Sequence, residues 1–123
     1  MTDVLPDGHR RHGLAACGAL YAAAAVALSA YAAHAVQGVA QSRLQTAAIF
    51  AFGHGVALAA LAPGASRRLG RIATWMLGIG VLLFSGSIAG SVLLQLPTVA
   101  APLGGMMLIA GWIILAIDML RRR

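Results

Sequence analysis

No Asp, Glu, Lys or Arg occurs at residues 13–42, 44–66 or 72–117, so long uncharged stretches are separated only by Arg43 and by the short arginine-bearing segment 67–71. Crossing the hydrocarbon core of a bilayer takes about 20 predominantly apolar residues, and each stretch meets that length. The third is long enough for two crossings. It is interrupted by LPTVAAP, residues 96–102, where Pro97 and Pro102 disfavour a continuous helix. Pro102 also suits the first turn of a following helix. Apolar length therefore predicts spans near 14–35, 44–62, 72–96 and 99–120. With 60% hydrophobic residues the chain has more apolar surface than a soluble domain of this size can hide. The expected architecture is an all-α, polytopic membrane protein: four transmembrane helices in a compact bundle. One transmembrane domain, 13–120, lies between a polar segment, 1–12, and a basic end, 121–123.

All nine basic residues are arginines, and eight fall on one side of such a bundle: Arg10, Arg11, Arg67, Arg68, Arg71 and Arg121 to Arg123. Only Arg43 falls on the other. Short cytoplasmic loops carry the Lys/Arg excess, so both termini are expected in the cytoplasm. The formal net charge of +6 then reflects topology and contact with anionic lipid headgroups. Nucleic acid is not an expected partner, because the arginines form no stripe interleaved with aromatics. Trp75 suits an interfacial aromatic belt, and Trp112, nearer mid-span, suits packing between helices. Asp118 has helical spacing to Arg121 and Arg122, predicting a solvated ion pair at a helix end.

The segment SAYAAHAV, Ser29 to Val36, admits a competing reading. Arg10 and Arg11, a long apolar run and Ala33-His34-Ala35 together imitate a signal peptide with a cleavage site. The run from Leu14 to Ala33 exceeds the usual signal core of about 7 to 15 residues, which favours a retained first helix. Cys17 is the single cysteine, so the chain cannot form an internal disulfide or a Cys-x-x-Cys pair.

Ionisable groups inside a membrane are the default place to look for function. The chain has no glutamate or lysine, and Asp3, Asp7 and Asp118 lie near its ends, which leaves His34 and His54. This disfavours proton coupling through an embedded carboxylate and carboxylate-based acid–base catalysis. His34 is expected near the outer end of its helix and His54 near mid-membrane, at least about 10 Å apart in depth, too far to share a zinc whose nitrogen ligands sit about 2 Å away. Joint coordination would need the connection 36–43 to dip inward or another chain to contribute. Neutral imidazoles hydrogen-bonded within the bundle are the expected alternative. In FSGSIAGS, Phe84 to Ser91, the serines Ser85, Ser87 and Ser91 add hydroxyls, with Gln95 four residues beyond Ser91 on the same stripe. They are expected either to form a polar seam in the outer half of the bundle or to bond the carbonyls of their own helix. Gly86 and Gly90 form a G-x-x-x-G on an adjoining stripe, and Gly104, Gly105 and Gly111 offer further surfaces for close helix approach.

SAYAAHAV, LQTAAIFAFGHGVAL (Leu44 to Leu58), LLFSGS (Leu82 to Ser87) and APLGGMMLIAGW (Ala101 to Trp112) resemble, in order, the landmarks of the small membrane family known as domain of unknown function 423. Its relatives include a small mitochondrial transmembrane protein. The resemblance extends over nearly the whole chain after the polar head. It implies a four-helix inner-membrane protein whose activity is not characterised, with a retained first helix. Its polar landmarks fall on His34, Gln45, Thr46, His54, Ser85 and Ser87, and its glycines on Gly86, Gly104, Gly105 and Gly111. Where relatives carry glutamine and tyrosine before the second histidine, this chain has Ile49, Ala51 and Gly53.

These readings lead to an accessory or structural membrane protein, packed against itself or a larger complex, with no catalytic constellation, cofactor or metal site. The competing expectation is a small transporter or channel in which His34, His54 and the third-helix serines line an outward-facing polar cavity. The two differ in whether the imidazoles converge on a void or are spent on neighbouring backbone and hydroxyl groups.

Overall fold

A computed structural model describes residues 6–122, with side chains from His9 onward. Residues 1–5 of the polar head, Asp3 among them, and Arg123 therefore lie outside the described residues, as does the side chain of Asp7. The chain forms α1 (Pro6–Ala35), α2 (Gly38–Leu61), a short 3-10 turn (Ala62–Gly64), α3 (Arg68–Leu93) and α4 (Ala100–Arg121). Each of the four helices is long and apolar enough to cross a membrane.

The helices differ from the apolar spans where polar residues continue or end them. α2 begins at Gly38, well before Leu44, because Gln41, Ser42 and Arg43 form its first turns. Only Val36 and Gln37 separate α1 from α2, and Gly38 takes φ +71° at the reversal, a conformation that glycine adopts without strain. α3 ends at Leu93, and Gln95 has φ +55°. That left-handed turn folds the chain back, so that the amides of Leu94 and Leu96 both donate to the Gly90 carbonyl. Gln95 therefore does not extend the stripe of Ser87 and Ser91.

α1 packs along α2, and α3 along α4; α2 and α3 join these two pairs. Both pairs are antiparallel. Gly18 meets Gly55 while Ser29 meets Gln45, and Gly80 meets Gly104 while Gly70 meets Asp118. The arginine-bearing starts of α1 and α3 thus lie at the same end as the finish of α4, where Arg67 Nη1 donates to the Arg121 carbonyl at 3.0 Å. The buried apolar cluster, including Leu14, Leu58, Leu77, Val81, Leu108 and Leu115, fills the half of the bundle nearer that end. The polar contacts between α1 and α2 occupy the other half.

Two close crossings set the geometry of these pairs. A Cβ on Gly18 would lie 2.6 Å from the Gly55 carbonyl oxygen, and one on Gly55 would lie 2.5 Å from that of Gly18. On the other pair, a Cβ on Gly104 would lie 2.7 Å from the Gly80 oxygen and 2.5 Å from the Phe84 nitrogen. Helices in a bilayer gain little from apolar burial against each other, so backbone approach at small residues is what packs them. Gly111 belongs to the same seam, with Leu77 Cδ2 at 3.0 Å from its Cβ position, and Gly105 meets the Phe84 ring at ordinary contact distance. Gly86 and Gly90 do not pack against another helix. Gly86 meets only Leu82 of its own helix, at 3.9 Å, and Gly90 accommodates the folded-back Leu96 at 3.3 Å.

Candidate functional site

The two histidines lie far apart. α1 is buried along the face carrying Ala25 and Ala32. His34 follows Ala32 by two residues, about 200° around the helix, and so points away from the bundle. It is exposed and makes no side-chain hydrogen bond among the described residues. His54 lies sixteen residues into α2, about 24 Å along the axis from the end where His34 sits. One ion or one small ligand cannot engage both, and among the described residues no three His, Cys, Asp or Glu side chains come together.

His54 uses both ring nitrogens within the bundle. Nδ1 lies 2.8 Å from the carbonyl of Phe50, one turn earlier on α2, and Nε2 lies 2.9 Å from Trp112 Nε1 on α4. An indole N–H can only donate, so Nε2 accepts and Nδ1 carries the proton, which defines a neutral tautomer. The Phe50 ring stacks beside the imidazole at 5.9 Å between centroids, and Phe84 of α3 packs on Phe50 at 4.7 Å. A chain of aromatic rings therefore ties α4 and α3 to α2 at one depth. Trp112 takes part in this tie while remaining 41% exposed.

Replacing either partner removes one interhelical hydrogen bond. A double-mutant cycle on His54→Phe and Trp112→Phe, read by unfolding in detergent, is expected to give a coupling of about 0.6 to 1.7 kcal/mol. Zero coupling would show that the pair does not hold in solution.

The remaining polar residues divide by helix pair. Ser29 Oγ donates to Gln45 Oε1 at 2.9 Å, and Gln45 Nε2 lies 3.4 Å from the Ser29 carbonyl. Gln41 Nε2 donates to the Ala32 carbonyl at 3.0 Å. Gln41 and Gln45 are four apart on α2 and so present one face to α1. This amide clasp unites α1 and α2 without either histidine. Thr46 bonds back to the Ser42 carbonyl at 3.1 Å, and Ser91 to that of Ile88 at 2.7 Å, each within its own helix. The hydroxyls of Ser85 and Ser87 are buried and have no hydrogen-bond partner. Ser85 borders a cleft of about 150 Å³ between α1, α2 and α3, whose wall includes Tyr21 and Ala51 but neither histidine. Tyr21 bridges α1 to α3 through its hydroxyl, which donates to the Gly78 carbonyl at 3.2 Å.

Sequence reasoning missed three features of this arrangement: the Ser29–Gln45 clasp, the His54–Trp112 bond and the burial of Asp118. Asp118 does pair with Arg122, at 2.8 Å, but it is 1% exposed and therefore not solvated. Its Oδ2 lies against Gly70 of α3, 2.9 Å from where a Cβ would stand. The spacing of Gln41 and Gln45 was a readable signal for the clasp. The other two depend on how α4 is rotated against α2 and α3.

No curated protein and no solved structure matches the chain at a significant level. A family model does match, over residues 28–105, from the last eight residues of α1 through the first six of α4. The match takes in the amide clasp, His34, His54 and the α3 serines, and it leaves Trp112 and the last landmark segment largely outside. Because this match covers well over half of its length, the chain belongs to the family described as protein of unknown function (DUF423).

Proposed function

We propose that this protein is a non-catalytic, multi-pass component of the bacterial inner membrane that works by packing, against copies of itself or against a larger membrane complex. The observation that carries this reading is the outer face of α1. α1 is the least buried of the four membrane-length helices. Its exposed face carries Ala16, Ala23, Ala27 and Ala30, with Leu20 the one large side chain among them, and ends in exposed His34, while the polar groups of His54, Gln41 and Gln45 are engaged by other groups of the same chain. Small residues let a second helix approach closely, and an imidazole at the edge of such a face can hydrogen-bond across it. Transport through a polar cavity has less support, because His34, His54 and Ser85 do not border one space. The eight-to-one distribution of arginines supports cytoplasmic termini.

The test is energy transfer between donor- and acceptor-labelled copies in liposomes, combined with native electrophoresis of membrane complexes from cells with and without the protein. Association with self or with a complex is expected, and Ala27→Leu is expected to weaken it about tenfold by holding the partner helix away. Transfer at the random-mixing level, together with unchanged migration of every membrane complex, would sink the reading.

A further inference from the structure

We propose that the groove between α1 and α3 at the arginine-rich end is a binding site for one anionic phospholipid, its phosphate held by Arg10 and Arg68 and one acyl chain lying along the groove. This goes beyond the packing function and does not depend on the α1 face engaging another chain.

The groove exists because α1 pairs with α2, and α3 with α4, leaving α1 and α3 in few contacts, among them Tyr21 and Leu14 against Gly78. Its upper part, about 480 Å³, is bordered by Arg10 and Arg11 of α1 and by Arg68 and Arg71 of α3. A second part, about 390 Å³, continues away from the arginines and shares Arg10, Leu14, Trp75 and Ile79 with the first. It ends at Tyr21 on α1 and Leu82 on α3. Fourteen residues separate Arg68 from Leu82, so the groove runs about 21 Å along α3. One leaflet of hydrocarbon is about 15 Å deep, which leaves the arginines at headgroup level and the apolar floor at chain level. Trp75 stands between them, where an indole suits the interface.

Charge identifies the headgroup. Among the described side chains Asp118 is the only carboxylate, and Arg122 occupies it. Arg10 and Arg68 make no ion pair or side-chain hydrogen bond among the described residues, whereas Arg11 and Arg71 have other interactions and add charge to the rim. Guanidinium forks on two helices can hold phosphate oxygens bidentately. A soluble anion would use the arginines and leave the apolar floor unoccupied; a zwitterionic lipid would fill the floor and gain little from the arginines. An anionic phospholipid satisfies both.

Native mass spectrometry of the full chain in detergent, with phosphatidylglycerol and phosphatidylcholine added at equal concentration, tests this. Preferential retention of phosphatidylglycerol is expected, with Arg10→Gln and Arg68→Gln each lowering the preference about fivefold. Arg121→Gln removes the same charge outside the groove and is expected to change the preference by less than about twofold. Arg10→Lys/Arg68→Lys keeps the charge but loses the forked geometry, and is expected to lower the preference less than either Gln variant while not restoring it fully. Ile79→Trp, which fills the floor and leaves every charge in place, is expected to lower retention. The thermal midpoint of each variant identifies any that fails to fold. An equal effect of Arg121→Gln overturns the proposal by making the attraction diffuse. Displacement of the lipid by excess inorganic phosphate overturns the lipid as occupant, and full retention by folded Ile79→Trp overturns the seating of the acyl chain.

Discussion

Gly55→Ala is expected to destabilise the bundle by about 3 kcal/mol, the upper end of the usual cost of overpacking, and Gly55→Leu to prevent native packing of α1 on α2. The added Cβ would stand 2.5 Å from the Gly18 carbonyl oxygen and 2.9 Å from the Ala22 amide nitrogen. Both are backbone atoms, so no rotamer change relieves the clash and the helices must separate. Separation also lengthens the Ser29–Gln45 and Gln41–Ala32 hydrogen bonds, which depend on the same axis distance. Gly18→Ala meets the reciprocal obstacle, so the double variant is expected to cost less than the two losses added together: one displacement relieves both. Gly53→Ala is the matched control. Nothing lies within 4 Å of its Cβ position, and alanine there is expected to gain up to about 1 kcal/mol of helix propensity. Reversible unfolding in detergent reads all five. Equal behaviour of Gly53→Ala and Gly55→Ala would contradict the close crossing.

This contrast shows where the sequence was informative. Charge-free length and the prolines at 97 and 102 located four helices, since the hydrocarbon thickness and the missing proline amide act on any chain, whatever its tertiary contacts. Helix ends were less legible. Gln41, Ser42 and Arg43 extend α2 although they are polar, because a turn near the interface is not required to be apolar. The crossings were legible only in part: Gly104 and Gly111 stood out as small residues on α4, but their partners on α3 and the whole α1–α2 crossing did not. G-x-x-x-G drew attention to Gly86 and Gly90, while the backbones meet at Gly18, Gly55, Gly80 and Gly104. A small residue permits close approach without specifying the partner, and four apolar helices carry little amphipathic contrast to fix their rotation.

The candidate site was subject to the same limit. Depth alone separates His34 from His54, and depth follows from residue count. Rotation decides the rest: it turns His34 outward opposite Ala32 and brings Trp112 to His54. Ser85 and Ser87 have no polar partner, and Ser29 and Gln45, on the α1–α2 seam, satisfy one another. The polar groups that do find a partner on another helix, Tyr21, Ser29, Gln41, Gln45, His54 and Trp112, act as local interhelical ties, which is what the proposed packing function calls for.

Arg122→Ala is expected to cost about 3 to 5 kcal/mol, far more than loss of a surface ion pair, because it leaves the buried Asp118 carboxylate uncompensated. Arg122 Nε and Nη2 both donate to Asp118 Oδ2, at 3.0 and 2.8 Å, and the carboxylate is held against the α3 backbone at Gly70. The arginine is 42% exposed and the aspartate 1% exposed, so the attraction is partly screened at one end while the desolvation cost falls almost wholly on the other. The instability of Arg122→Ala therefore measures an abandoned charge more than a lost attraction. Asp118→Leu/Arg122→Ala tests this directly: removing both partners and restoring apolar volume beside Gly70 is expected to bring stability back to within about 1 kcal/mol of the native chain. Recovery on adding the second substitution distinguishes this from ordinary loss of contact, in which each substitution would deepen the destabilisation. Unfolding midpoints of the two variants and the native chain at one pH and ionic strength decide it, and a double variant less stable than Arg122→Ala would refute the account of Asp118 as a buried charge held in place by its arginine.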